Sequence, residues 1–333
     1  MTGYRAQVEA ALRVMTVLSP TRFAWFGRAS PALPRATLRA LDAPAARAHL
    51  LSQLQQCLYL GFYSTGAPVP DATPKPRPAR CPDLVDALSR ANAGKGCWSP
   101  GWLVRSVEPT GVVCERDEIR LTATTGSWRG ATCGEVRVGE VVDLLTPKEQ
   151  LGVSPGCYLA QSDVELAANR DAKLVRVYFG ATAAGALALM AQLTRLLNDQ
   201  RLSFRFKVVA HPDRFTRCDA AVLYLLQDDF EAATPALTGT LAAVGELGPR
   251  VPAFTKRLAS GVSLAEDPLE GTSFGWHRCG LLAKALLDAH ERGIAPLERR
   301  VDCVRAHFAQ AGLSLETPYL NEGSRDRYDW WPR

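Results

Sequence analysis

FRFKVVAHPDRFTRCDAAVLYLL, residues 204–226, is the stretch from which the fold of this chain is read. Phe204, Phe206 and Val208 alternate with Arg205, Lys207 and Val209, a period of two that predicts a strand with Lys207 on one face. Pro212-Asp213 punctuates it. Arg217 then precedes the apolar run AAVLYLL, which predicts a buried central strand over 219–226. Two neighbouring strands therefore each bring a cation to an apolar segment, and a buried cation is costly unless an anion meets it. The plain alternative puts Lys207 on an exposed sheet face and pairs Arg217 with Asp213 or Asp219.

Working outward, LVRVYF (174–179) alternates Val175, Val177 and Phe179 with Arg176 and Tyr178, predicting another strand. Thr182 is placed to cap a following helix with Ala186, Leu189, Met190, Leu193, Leu196 and Leu197 as its apolar stripe. Helices are expected over 230–244, 276–291 and 298–311, with Gly293 and Gly312 ending the last two. Residues 249–268 read as irregular with short extended pieces. From about residue 110 the signal is short strands: Val112-Val113 and Ile119–Leu121 as a hairpin about Arg116-Asp117, the alternation of 134–145, and a strand after the turn chemistry of 154–158. Before that, 4–18 and a segment opened by Asp42 and Pro44 read as amphipathic helices. Six prolines mark 64–82 as an extended loop, 82–92 reads as a short helix, and 94–102 is turn-rich. The order of elements predicts an α+β fold, a mixed or antiparallel sheet flanked by helices. A mainly helical region, 1–105, is expected ahead of a core over 106–333.

Composition narrows the function. The 333 residues are 47% hydrophobic and 22% charged, with a formal net charge of +5. No dense basic run with interleaved aromatics accompanies that charge, so no nucleic-acid partner is expected, whereas an anionic substrate fits. Nine scattered cysteines form no C-x-x-C pair, which argues for free thiols and a cytoplasmic setting. The N-terminus lacks the pattern of a signal peptide, and no apolar run reaches the length of a membrane span. P-loop, dinucleotide, kinase, nucleophile-elbow and zincin motifs are absent, and the five histidines are too dispersed to suggest a metal triad.

What remains is cationic. Arg176, Lys207, Arg217, Lys256, Arg257, His277 and Arg278 all lie between 174 and 278, most of them on strands or at element junctions. Arginine forks hold phosphate oxygens bidentately and lysine supplies a point charge, so such a group could bind a phosphoryl group without a metal. Taken singly, each reads equally as a surface charge.

FKVVAHPDRFTRCDAAVLYL (206–225), PAFTKRLASGVSLAEDP (252–268), TSFGWHRC (272–279) and PYLNEGS (318–324) resemble the HopA effector family, named for type III secreted effectors of plant-pathogenic bacteria. Similar proteins occur in bacterial gene clusters for ribosomally made, modified peptides such as the thioviridamide group and class V lanthipeptides, beside a phosphotransferase-like kinase. The resemblance covers about 110–325. The family is in turn distantly similar to the phosphothreonine lyases, which carry an F-K-V strand and an Arg ahead of a strand of apolar-T-L-Y form. Phe206-Lys207-Val208 and Arg217 before AAVLYL match that arrangement. The lyases' K-x-H strand has no counterpart, since Arg176-Val177-Tyr178 stands in a comparable position.

The resemblance implies a phosphothreonine-lyase-like fold and β-elimination of phosphate from phosphoserine or phosphothreonine in a precursor peptide. It implies no cofactor, and a partner kinase that acts with the protein. Lys207 and Lys256 are then the two candidate bases, His277 or Tyr178 the candidate acid, and Arg176, Arg217 and Arg278 the candidate phosphate ligands. The competing expectations are a non-catalytic scaffold that binds the peptide or the kinase, an effector acting on a host partner, and, less well supported for lack of ligand clusters, a metal-dependent phosphatase.

Overall fold

The computed structural model describes residues 3–76, 78–130, 136–165, 172–245, 247–268 and 271–328. The start of the alternating segment 134–145 and the last residues of the aromatic tail, from 329 on, lie outside the described residues.

Seven strands form the largest sheet: β1 (Glu149–Gln150), β2 (Cys157–Gln161), β3 (Leu174–Phe179), β4 (Phe204–Val209), β5 (Ala221–Leu226), β6 (Lys256–Ala259) and β7 (Val262–Glu266). Their order is β6-β7-β3-β5-β4-β2-β1, and every neighbouring pair is antiparallel. The alternation in sequence sorts the two faces. Phe206, Leu223, Val177 and Leu264 lie in one cross-strand row, fully buried, and belong to the face that joins the main apolar cluster. The next row carries Lys207, Val222, Tyr178 and Ser263, and a further one Tyr224 and Arg176. Residues directly opposite on paired strands share a face, so the polar side chains of β3, β4 and β5 are gathered on one side of the sheet.

The helices follow their caps. Thr182 accepts a hydrogen bond from Gly185 N and opens Ala183–Asp199, while Asp42 accepts from Ala45 N and opens Ala43–Leu58. Ser273 caps Phe274–Glu291 by accepting from Trp276 N. The irregular reading of 249–268 gives way to the β6–β7 hairpin, turned at Gly261 with φ +69°. The α+β architecture read from the sequence is thus present, with antiparallel sheets and eight α-helices among the described residues.

The amino-terminal region differs from expectation. Its first helix stops at Val14, and Met15–Ser19 is a strand paired with Arg22–Trp25 in a three-stranded sheet. Met15 and Val17 are buried while Thr16 and Leu18 are exposed, a period of two that overrides the helical stripe. Nor does residue 105 divide two cores. Val8, Leu12, Leu50, Leu54 and Leu88 share one apolar cluster with Leu282, Val304 and Phe308. A separate small cluster, built on Trp102, Val104, Cys114 and Leu144, lies in the five-stranded sheet formed between Cys97 and Thr146, so the expected boundary runs through the strand Cys97–Glu108.

Candidate functional site

Above the polar rows of the sheet lies a cavity of about 900 Å³. Its floor carries Arg176 and Tyr178 from β3, Lys207 from β4, and Val222 and Tyr224 from β5, with Arg217 and Asp219 entering from the loop before β5. One wall is the π-helical turn Tyr59–Tyr63 at the end of Ala43–Leu58, another the start of Phe274–Glu291 with Gly275 and Trp276. The proline-rich segment borders it with Asp71, Thr73, Pro74, Lys75 and Pro78.

Three cations converge there. Arg217 donates from Nε to Asp219 Oδ1 at 2.7 Å and from Nη2 to Asp219 Oδ2 at 2.7 Å, and Nη2 also donates to the Tyr59 hydroxyl at 3.0 Å. Burial pushes the Asp219 carboxyl up and the Arg217 guanidinium pulls it down, and the pull wins, so Asp219 stays ionised. Arg176 pairs with Asp267 in surroundings that leave its side chain 11% exposed. For Asp267 burial wins over Arg176, and its carboxyl is held above the usual range. The Tyr224 ring is shared: the Arg176 guanidinium lies 5.0 Å from its centroid and Lys207 Nζ 5.7 Å from it. Lys207 makes no ion pair among the described residues. Burial pulls its ammonium down, contact with Tyr224 pushes it up, and the net direction is up. The phenols of Tyr59, Tyr63 and Tyr178 are all raised, chiefly by burial, so each is held protonated.

The aromatic wall is closely built. Tyr59 stacks on Tyr63 at 5.3 Å, and Trp276 meets Tyr59 edge-on at 5.7 Å. Gly275 permits this: a Cβ there would stand 2.2 Å from the Tyr63 ring.

Of the residues singled out in the sequence, Arg176, Tyr178, Lys207 and Arg217 line this cavity, and Lys256, His277 and Arg278 are not among its lining. The register explains Lys256. It lies opposite Leu264, in the row of Val177 and Phe206, which belongs to the other face of the sheet. There it donates to Asp326 at 2.7 Å. Arg278 is 1% exposed and donates from Nε to Pro318 O at 2.8 Å and from Nη2 to Leu320 O at 2.9 Å, tying its helix to the carboxyl-terminal segment. His277 Nδ1 lies 2.8 Å from Arg278 Nη1. The sequence reading missed Tyr59, Tyr63, Tyr224 and Trp276. For the first two a signal existed: aromatics four apart at a helix end, immediately before the proline-rich segment.

The model of the HopA1 effector protein family matches residues 149–320, 172 of the 333 residues. No curated protein matches. Solved structures with a similar fold include two effector proteins. The effector protein from Pseudomonas syringae pv. syringae strain 61 has 20% identity and a TM-score of 0.35, and covers 50% of this chain. The chain spans 63% of that protein's length. The effector protein from Pseudomonas syringae pv. tomato strain DC3000 has 15% identity and a TM-score of 0.44, covering 83% of this chain and 95% of its own.

Proposed function

The chain belongs to the HopA1 effector protein family, and from that premise we propose that it is a phospholyase acting on phosphoserine or phosphothreonine in a peptide. The observation that carries the reading is the convergence of Arg176, Lys207 and Arg217 in one cavity. Three cations on neighbouring elements, two of them with planar forks, suit a phosphomonoester, which carries close to two negative charges at neutral pH.

The reaction assigns each group a task. A base takes the α-proton, and the electrons of that C–H bond form the Cα=Cβ double bond. The Cβ–O bond breaks, and its electron pair leaves with the phosphate. The product is a dehydroamino acid, with no water added and no change of redox state. Arg176 and Arg217 hold the phosphate oxygens and stabilise the departing charge. Lys207 is the amine of the cavity floor and is assigned the α-proton. Tyr178, held protonated by burial, supplies a hydrogen bond to the departing oxygen. Lys256, His277 and Arg278 receive no chemical role in this scheme. A kinase that phosphorylates the peptide first must precede the step, and a ribosomally made precursor peptide is the substrate class this reading favours.

A second reading has one observation in its favour. The net upward direction at Lys207 keeps it an ammonium, which suits a module that binds a phosphopeptide without eliminating phosphate. Mass spectrometry of a phosphoserine peptide incubated with the protein separates the two. Loss of the elements of phosphoric acid, to a thiol-reactive product, supports the lyase. Tight binding with an unchanged peptide supports the module, and release of phosphate with the hydroxyl restored refutes both.

A further inference from the structure

The charge inside the cavity is short of what a phosphate needs. Asp219 faces Arg217 and Asp267 faces Arg176, so of the three floor cations Lys207 alone makes no ion pair among the described residues. A phosphomonoester brings close to two negative charges. With both carboxylates ionised, the floor leaves about one of them uncompensated, and an uncompensated buried charge is costly.

The proline-rich strap carries the missing charge. It is pinned at its start, where Trp25 Nε1 donates to Val69 O at 2.7 Å and Val69 N to Gly61 O at 2.8 Å. It is pinned again at its end, where Arg80 Nε donates to Cys157 O at 3.2 Å and Cys81 N to Ala210 O at 2.8 Å. Between these points Pro70, Pro74, Pro76 and Pro78 have no N–H to give. Lys75 sits on this span, lines the cavity, and is held by Asp71 at 3.1 Å. Both side chains of that pair are open to solvent, 76% and 61% exposed, so their union is weak and readily exchanged. Arg214 also lines the cavity, from the short turn Pro212–Arg214, where Asp213 beside it lines the cavity too.

We propose that Lys75 leaves Asp71 when a phosphorylated residue enters and places its ammonium on the phosphate, so that the strap makes the site selective for phosphorylated over unmodified peptide. This rests on the phosphate-site reading above. Asp71 is the resting partner that holds Lys75 at the mouth when no phosphate is bound.

The test compares full-length wild type, Lys75→Ala, Lys75→Arg, Asp71→Asn and Arg217→Lys in binding to a short Ala/Gly peptide with one central phosphoserine, and to its serine counterpart. Lys284→Ala, an exposed charge outside the cavity lining, controls for general electrostatics. Lys75→Ala is expected to weaken binding of the phosphopeptide about tenfold and to leave the serine peptide unchanged. Lys75→Arg should restore most of the loss, and Asp71→Asn should leave binding equal or tighter. A phosphopeptide affinity within about twofold of wild type for Lys75→Ala, with Arg217→Lys still defective, overturns the role of Lys75 and leaves the phosphate site standing. Equal weakening for both peptides also overturns it. Failure of wild type to prefer the phosphopeptide, or no effect of Arg217→Lys, overturns the phosphate site and this inference together.

Discussion

Asp219 holds Arg217 by two hydrogen bonds of 2.7 Å, one to Nε and one to Nη2, two residues apart in the loop that leads into β5. The guanidinium is thereby fixed in plane before any ligand arrives, and Tyr59 accepts a further bond from Nη2. With Nε and Nη2 engaged by Asp219 and Tyr59, Nη1 is the donor left to meet a phosphate oxygen, and it does so with little ordering cost because the rotamer is already set.

Arg217→Lys keeps the charge and loses both the fork and its hold on Asp219. The expected result is a fall in kcat/KM on a phosphopeptide of about a hundredfold or more, with a stability cost of about 1–2 kcal/mol. Steady-state kinetics beside thermal unfolding check this. Near-normal turnover by the variant removes Arg217 from the chemistry.

Asp219 also links stability to acid. Its folded carboxyl lies below the ordinary aspartate value of 3.8 because Arg217 outweighs burial. The stability it contributes is therefore fully present above that value and is lost as pH falls through the lowered folded one. Urea unfolding at a series of pH values should show wild type losing stability more steeply than Asp219→Asn below about pH 4. Parallel curves would falsify the assignment.

Lys207 gives a pH signature of the opposite kind. Its folded ammonium lies above the ordinary lysine value of 10.5, so the neutral amine needed to take an α-proton grows about tenfold per pH unit across the accessible range. The logarithm of kcat/KM should rise with pH at a slope near one, and Lys207→Arg should be inactive. A flat profile with activity kept by Lys207→Arg would make Lys207 a cation only.

Gly275 is a packing requirement of the aromatic wall. Gly275→Ala forces the Tyr63 ring away from a Cβ that would lie 2.2 Å from it, and Tyr63 stacks on Tyr59. The expected cost is about 1–3 kcal/mol of stability with reduced phosphopeptide affinity. Unfolding and binding measured together test whether the two losses travel as one.

Arg278 should behave as a structural residue. Arg278→Ala leaves the carbonyls of Pro318 and Leu320 without their buried donor, a loss of about 3 kcal/mol or more. Whatever fraction of the variant folds should keep the wild-type pH profile per active molecule. An altered profile with unchanged stability contradicts this role.

The sequence by itself determined the local elements that build the floor of the site. Alternation fixed the strands around Val177, Phe206 and Leu223, and caps such as Thr182 and Asp42 fixed where helices begin, because these signals depend on neighbours a few residues apart. It also marked Arg176, Lys207 and Arg217 as cations out of place on apolar segments. Tertiary structure alone decided which of the cations meet. Lys256 lies on a strand like Lys207, but pairing with Leu264 turns it to the other face, and a register that differs by one residue reverses every side chain. Arg278 carries the same charge as Arg217, yet it is spent on carbonyls some 40 residues away in the chain. Tyr59 and Lys75 come from a part of the sequence with no local tie to the strands, and they reach the cavity because the Ala43–Leu58 helix packs on Phe274–Glu291. Long-range register and packing bring these groups to one place, and neither is written in any short window of the chain.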